Sequence, residues 1–354
     1  MSPDASSDRE AVEPDRRHEP AGDRVGSATR PLIDVDDLAG RLPEPGTSRR
    51  IRVVDVRWVL GEPGAGRAAY EAGHVPGAIF LDLDTDLSDP DGLGAPGRHP
   101  LPSPRAFADR LEAWGIGDED LVVAYDDSGG WVAARLWWML DNLGPTAAGR
   151  GGVVILDGGW AAWLGAGLPT SADTPARPAH RAHLAVPAAW SNVIERDELR
   201  RRLGSVILLD ARAAARYRGE IEPIDPVPGH VPTAISAPWD RTIGPDGRFL
   251  TPGALRAGFA ELGIEAGVEA EDAPREATAG DVAAGDVAAG RPADQRAVVV
   301  SCGSGTSAAQ HVVAARLAGL PDPILYVGSY SDWSRSGLPV ATGPEPGSPE
   351  LARR

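Results

Sequence analysis

Short apolar runs alternate with helix-like stretches along this chain, and the whole alternation occurs twice. The first copy opens with IRVVDVRW at 51–58 and the second with VILLDARA at 206–213, each an apolar run ending in Asp-x-Arg. Next come GHVPGAIFLDLD from Gly73 and GHVPTAISAPWD from Gly229. A helix-like stretch ending in Gly-Ile follows in each copy, FADRLEAWGI at 107–116 and LRAGFAELGI at 255–264. Then comes a β-branched run, LVVAYD at 121–126 or AVVVSC at 297–302, and a Gly/Ser turn into an apolar helix. Each copy closes with a short strand and an aromatic helix, VVILDGGWAAWLGAGLP and ILYVGSYSDWSRSGLP. Runs that are apolar throughout, such as VVIL and VVVS, suit strands covered on both faces. Strands separated by helices predict an α/β fold, with a mainly parallel sheet flanked by helices in each copy.

The duplication divides the chain into a first domain at 31–172 and a second at 189–345, joined by a linker at 173–188 (DTPARPAHRAHLAVPA). Residues 1–30 are rich in charge, Pro, Gly and Ser and read as a disordered tail. The tract AGDVAAGDVAAG within 266–296 has no counterpart in the first copy and reads as a flexible surface insertion. The C-terminal PEPGSPELARR is expected to fray.

Charge and composition narrow the function. With 51 acidic and 35 basic residues the net charge is −16, which opposes binding to nucleic acid or to an anionic membrane surface. No apolar run reaches membrane-spanning length, and the N-terminus lacks the apolar centre of a signal peptide, so the expected location is the cytoplasm. The chain contains no lysine, which removes a Walker A phosphate loop, a pyridoxal Schiff base and a Ser–Lys hydrolase. Its single cysteine removes intrachain disulfides and Cys-based zinc sites. His180 and His183 are the only close histidine pair and have no carboxylate cluster nearby, so no metal is expected.

The two copies differ where the chemistry should lie. At the end of the β-branched strand the first copy has Asp126 and the second Cys302, which implies one working site and one decayed one. Cys302 stands between VVVS and GSGTSAAQHVVAARL, at a strand end, before a glycine-rich turn and a helix start. Gly303 and Gly305 allow backbone N–H groups to converge on one point, and the helix N-terminus adds a positive dipole end. Both favour the thiolate, the nucleophilic form. A Cys-based phosphatase would need Cys-x5-Arg, but Ala308 stands at the sixth position. There is no Gly-x-Ser-x-Gly elbow for a serine hydrolase.

Cys302-Gly303-Ser304-Gly305 followed by the hydroxyl pair Thr306-Ser307 resembles the active-site loop of the 3-mercaptopyruvate sulfurtransferases, which share the rhodanese fold with the thiosulfate sulfurtransferases. Supporting motifs are Asp-x-Arg-Trp and Gly-His-x-Pro-Gly-Ala in the first domain and Arg-Tyr-x-Gly and Gly-His-x-Pro in the second. The resemblance runs from Leu32 to Thr342 and implies tandem rhodanese-like domains, the first non-catalytic and the second catalytic. It implies that Cys302 forms a persulfide, that Ser304 bonds the donor carbonyl or relays a proton, and that Arg216 grips the donor's anionic end. It implies further that Gly303, Gly305, Thr306 and Ser307 line the substrate, with Asp84 and His99 bordering the cleft. No metal or organic cofactor is implied. A small-molecule sulfur donor and a thiol acceptor, such as thioredoxin or a small thiol, are the expected partners, with cyanide as an alternative acceptor.

Two departures bear on the donor. In EIEPIDPVPGH, Ile224 stands where mercaptopyruvate enzymes carry a second substrate arginine; Arg218 and Arg241 are the candidate replacements. The uncharged Gly303 and Ser304 lack the cation of thiosulfate-specific loops, which favours mercaptopyruvate. Thiosulfate:cyanide sulfur transfer and a non-catalytic persulfide carrier remain as alternatives. His74 and His230 recur in both copies and read as structural turns, as do Asp55 and Asp210. Arg212 is expected to pair with a carboxylate, of its own or of the other domain, and Trp137, Trp138, Trp160, Trp163 and Trp333 to lie in the core or the domain interface.

Overall fold

The computed structural model describes residues 30–42, 51–89, 97–143, 152–178, 181–265 and 296–353. The tail at 1–29, the insertion at 266–295 and His180 lie outside the described residues. In the first domain the elements are β1 (Leu32–Ile33), α1 (Val35–Arg41), β2 (Ile51–Asp55), α2 (Ala65–Ala72), β3 (Ile79–Phe80), α3 (Pro104–Ala113), β4 (Leu121–Tyr125), α4 (Trp131–Asn142), β5 (Val153–Leu156) and α5 (Gly159–Gly165). The second domain contains α6 (Arg196–Arg202), β6 (Ile207–Asp210), α7 (Ala214–Tyr217), β7 (Ala234–Ser236), α8 (Pro252–Glu261), β8 (Val298–Ser301), α9 (Ala308–Leu317), β9 (Ile324–Leu325) and α10 (Ser329–Trp333).

All described strand pairings between these elements are parallel. The sheet orders are β1-β5-β4-β2-β3 and β7-β6-β8-β9. They correspond strand for strand once the parallel bridge Val193–Leu325 is taken as the remnant of a fifth strand in the second domain. β4 and β8 are central and buried at every position, which is why their sequences do not alternate. In open parallel sheets the crevice beyond the carboxyl ends of such strands is the usual ligand site. Cys302 follows β8 directly.

α3 and α8 start earlier than their apolar patterns suggest. Ser103 and Thr251 accept from the N–H of Ala106 and Ala254, and Pro104 and Pro252 open the helices. Side-chain capping and proline at the first helical position extend a helix beyond its buried face. The repeated histidines are turn residues in both copies. His74 stacks on Tyr70 at 3.9 Å and bonds the carbonyls of Tyr70 and Asp173. His230 stacks on Tyr217 at 3.8 Å and bonds those of Tyr217 and Glu345. Asp55 and Asp210 each hold the arginine two residues on with a bidentate pair. Arg212 therefore pairs within its own domain, with Asp210 and Glu222, and not across to the first.

One apolar core runs through both domains and includes Trp137, Trp138, Leu136, Val312 and Val313. α4 and α9 pack against each other, and because each is apolar almost all round, each must be covered on every side. Trp163 and Trp333 fill the smaller cores, while Trp160 is half-buried beside Arg57. The described parts of 173–188 have neither helix nor strand but are tied to α3, with Leu184 N–H donating to Glu112. The C-terminus is not frayed through its described residues. Ala352 is buried, its carbonyl accepts from Arg200, and Thr233 N–H donates to the Pro346 carbonyl. Among the described residues, no helix is long and apolar enough to cross a membrane.

His311, within α9, is fully buried near Phe259, and burial holds its pKa down to about 4, with Arg241 acting in the same direction and Asp210 against it. A depressed folded pKa contributes stability above the unfolded value of about 6.5, and this is lost as pH falls toward 4. His311 should therefore cost about 3 kcal/mol between pH 7 and pH 4. Urea unfolding across that range should show a shallower decline for His311→Leu than for wild type; equal slopes would exclude this source.

Candidate active site

The loop after β8 is braced from behind. Cys302 N–H donates to Ser329 Oγ at 3.0 Å, while the Cys302 and Gly303 carbonyls accept from the N–H groups of Tyr330 and Ser331, each at 2.9 Å. With its carbonyls directed away, the loop turns amide hydrogens inward, and Gly305 N–H donates to Cys302 Sγ at 3.1 Å. Glycine is required at 305 for two reasons: φ is +83°, and a Cβ there would sit 2.3 Å from the Val327 carbonyl oxygen. Ser329 also adopts positive φ, +52°, unusual for a residue with a side chain and placed where its hydroxyl supports Cys302.

The first domain has the same cradle filled by a carboxylate. Asp126 accepts from the N–H groups of Ser128, Gly130, Val132 and Ala133, and Trp160 N–H bonds its carbonyl as Tyr330 does that of Cys302. Even so, complete burial raises the Asp126 pKa. Asp126 and Cys302 are thus equivalent in space as well as in sequence.

Asp84 and His99, from the first domain, reach the loop of the second. His99 Nδ1 lies 2.7 Å from Ser304 Oγ and 3.3 Å from Thr306 Oγ1, and His99 Nε2 lies 3.0 Å from Asp84 Oδ1. The other Asp84 oxygen accepts from Trp58 Nε1–H at 2.9 Å. The hydrogen bond from His99 holds the Asp84 pKa below the usual carboxylate value, and burial lowers that of His99. A neutral imidazole facing an ionised carboxylate carries its proton on Nε2, which leaves Nδ1 to accept from the Ser304 hydroxyl. Ser307 opens α9 and makes no side-chain capping bond.

Arg216 is held by Glu222 at 2.7 Å and Asp225 at 3.1 Å. Neither candidate for the missing cation joins it. Arg218 pairs with Glu220 and Arg241 with Glu261, both at exposed positions. Arg98 of the first domain stands there instead, ion-paired to Asp225 and lying against Gly303. Sequence reasoning missed Arg98; its position beside His99 in the sequence is the signal that could have found it. A second arginine, Arg135 in α4, is completely buried and donates to the carbonyls of Gly305, Leu87 and His99, linking the loop after β8 to the first domain. Burial lowers its pKa to about 10, and a negative charge on Cys302 acts in the opposite direction. The signal for Arg135 was a cation within an otherwise apolar helix, since unpaired charges are rarely buried.

The rhodanese-like domain matches the chain twice, over residues 34–166 and 195–336. A Pseudomonas aeruginosa protein named "Probable 3-mercaptopyruvate sulfurtransferase" is 42% identical over 316 residues, covering 88% of this chain and 98% of that protein. A Mycobacterium tuberculosis protein named "Putative thiosulfate sulfurtransferase SseB" is 38% identical over 324 residues, covering 88% of this chain and 97% of its own. The solved 3-mercaptopyruvate sulfurtransferase from Leishmania major matches with a TM-score of 0.66 at 29% identity, over 86% of this chain and 74% of that one. With two copies of the domain, paired parallel sheets and a cysteine cradled at the end of the second, the chain belongs to the rhodanese-like family and is a two-domain sulfurtransferase.

Proposed function

We propose that the enzyme moves sulfane sulfur from 3-mercaptopyruvate to a thiol or cyanide through a persulfide on Cys302. The observation that supports this donor is the hydrogen-bonded chain Asp84–His99–Ser304, which ends in the loop beside the nucleophile. The Cys302 thiolate attacks the donor sulfur, the S–S bond forms, and the C–S bond breaks to leave the enolate of pyruvate. The donor's thiol proton passes through Ser304 and His99 and returns to the enolate, so the products are pyruvate and a Cys302 persulfide anion. Amides of the loop, including those of Gly303, Gly305 and Thr306, face the developing charge, and Arg216 orients the donor's carboxylate. A thiol acceptor, thioredoxin or a small thiol, then takes the outer sulfur. In this reading residues 189–345 form the catalytic domain, 31–172 a non-catalytic one that lends Asp84 and His99, and 173–188 joins them. The cysteine must be reduced to act, which suits the cytoplasm.

Thiosulfate is the second reading. Arg98 and Arg216 over Gly303 supply the cations absent from the loop sequence, and a doubly charged sulfite leaving group would use them. Steady-state transfer by wild type and Cys302→Ser, with the two donors side by side, tests both. The expected result is activity that vanishes with the cysteine and a higher kcat/KM for 3-mercaptopyruvate. Activity surviving in Cys302→Ser would exclude the persulfide route; a higher kcat/KM for thiosulfate would reverse the donor.

A further inference from the structure

A concavity separate from the Cys302 loop lies between α8 and the turn at Trp239–Thr242, with His311 of α9 in its lining. Its volume is about 260 Å³ and its wall is largely apolar, formed by Ala237, Leu250, Leu255, Phe259 and Leu262. Arg241 and Glu261 also line it and pair with each other at 2.9 Å, their side chains 48% and 69% exposed, so the charge at the entrance is balanced. Thr242 adds a hydroxyl that is already engaged, donating to the Trp239 carbonyl at 2.7 Å and accepting from Gln310 Nε2 at 2.9 Å.

His311 is the polar group in this lining whose bonding is incomplete. It is 2% exposed, and burial keeps the imidazole neutral at pH 7. The Ala237 backbone bonds the ring and favours its protonated form, as a carbonyl acceptor does, while Nδ1 has no hydrogen-bond partner. The proton of the neutral ring is therefore assigned to Nε2, facing Ala237, and Nδ1 keeps a lone pair as an acceptor. An unmatched buried acceptor carries the full cost of its desolvation, which an aliphatic side chain at this place in α9 would avoid. The ring is also set edge-on to Phe259, with centroids 6.4 Å apart and planes at 80°, so aromatic surface and a free acceptor meet in one pocket.

We propose that this pocket is a binding site for a small uncharged aromatic compound with one N–H or O–H donor, which bonds His311 Nδ1. An apolar cavity of about 150 Å³ accommodates benzene. A pocket of about 260 Å³ therefore accommodates a fused pair of rings. The balanced Arg241–Glu261 pair offers no free charge to an ionic ligand, and the apolar wall disfavours one. The lone pair on Nδ1 selects a donor over an acceptor.

Calorimetric titration of the full chain with indole, and with indene as its isostere lacking the N–H, tests the site. Indole should bind wild type with Kd below about 1 mM. Its affinity relative to indene should be about 3- to 10-fold greater in wild type than in His311→Leu, the worth of one neutral hydrogen bond. Ala257 lines the pocket from an exposed position on α8, so Ala257→Trp should fill the pocket and abolish binding of both compounds, with Tm and sulfur transfer as in wild type. Absence of indole binding to wild type up to its solubility limit would overturn the proposal. So would an indole-to-indene ratio unchanged in His311→Leu, or undiminished binding by Ala257→Trp. If His311→Leu does not fold, Ala257→Trp decides the location, and an indole preference over indene in wild type that Ala257→Trp removes decides the hydrogen bond.

Discussion

His99→Gln should turn over 3-mercaptopyruvate about 10²- to 10⁴-fold more slowly than wild type, with KM little changed and the fold intact. The donor thiol must lose a proton and the departing enolate must gain one. Ser304 cannot handle that proton alone, because a hydroxyl is a poor base near neutral pH. His99 can, since Nδ1 lies 2.7 Å from Ser304 Oγ while Nε2–H is held by Asp84 at 3.0 Å. Glutamine can accept a hydrogen bond but cannot take up and return a proton. The pH dependence has a definite sign. Burial lowers the His99 pKa below its ordinary 6.5, so the neutral, accepting form prevails at pH 7. The wild-type rate should hold as pH falls to 6.5 and decline below it, when both ring nitrogens become donors. His99→Gln should lack that acid limb. Thiosulfate offers a control, because sulfite departs as a dianion without needing a proton. The variant should lose much less activity with thiosulfate, and equal loss with the two donors would reduce His99 to a support for the loop.

Gly305→Ala should reduce persulfide formation at least about 100-fold with either donor, the scale of losing one well-placed oxyanion-type donor. The added methyl would meet the Val327 carbonyl oxygen at 2.3 Å, with φ at +83°. The loop must shift to relieve that overlap, and the N–H that reaches Cys302 Sγ at 3.1 Å shifts with it. Left-handed backbone strain alone costs about 1–2 kcal/mol and would appear as a lower Tm. Gly337→Ala separates the two effects. Gly337 has φ of +77°, and a Cβ there would meet nothing within 4 Å. It should lower Tm and leave sulfur loading intact. Mass spectrometry of the persulfide after a single donor addition measures the loading, and near-normal loading of Gly305→Ala would remove the amide cradle from the mechanism.

The duplication, the parallel α/β alternation and the turn that carries Cys302 were legible in the sequence because each rests on local physics. Apolar runs covered on both faces identify central strands, and a strand, a cysteine, two glycines and a helix start define the loop through backbone conformation alone. The turn roles of His74 and His230 were legible because the same short motif recurs on the same scaffold. Asp84 and His99 entered only through family resemblance, since 205 residues separate His99 from Ser304 and no local pattern connects them. Arg218 and Arg241, near Ile224 in sequence, proved to be surface residues with their own carboxylates. Arg98 and Arg135 come to the loop because buried α4 and α9 pack against each other and the strip at Gly97 seats on Gly328. The sequence by itself determined the strands, the helices and the loop that presents Cys302. Only the tertiary structure decided which charges surround it, because electrostatic interactions depend on distance in space and the docking of two domains sets those distances.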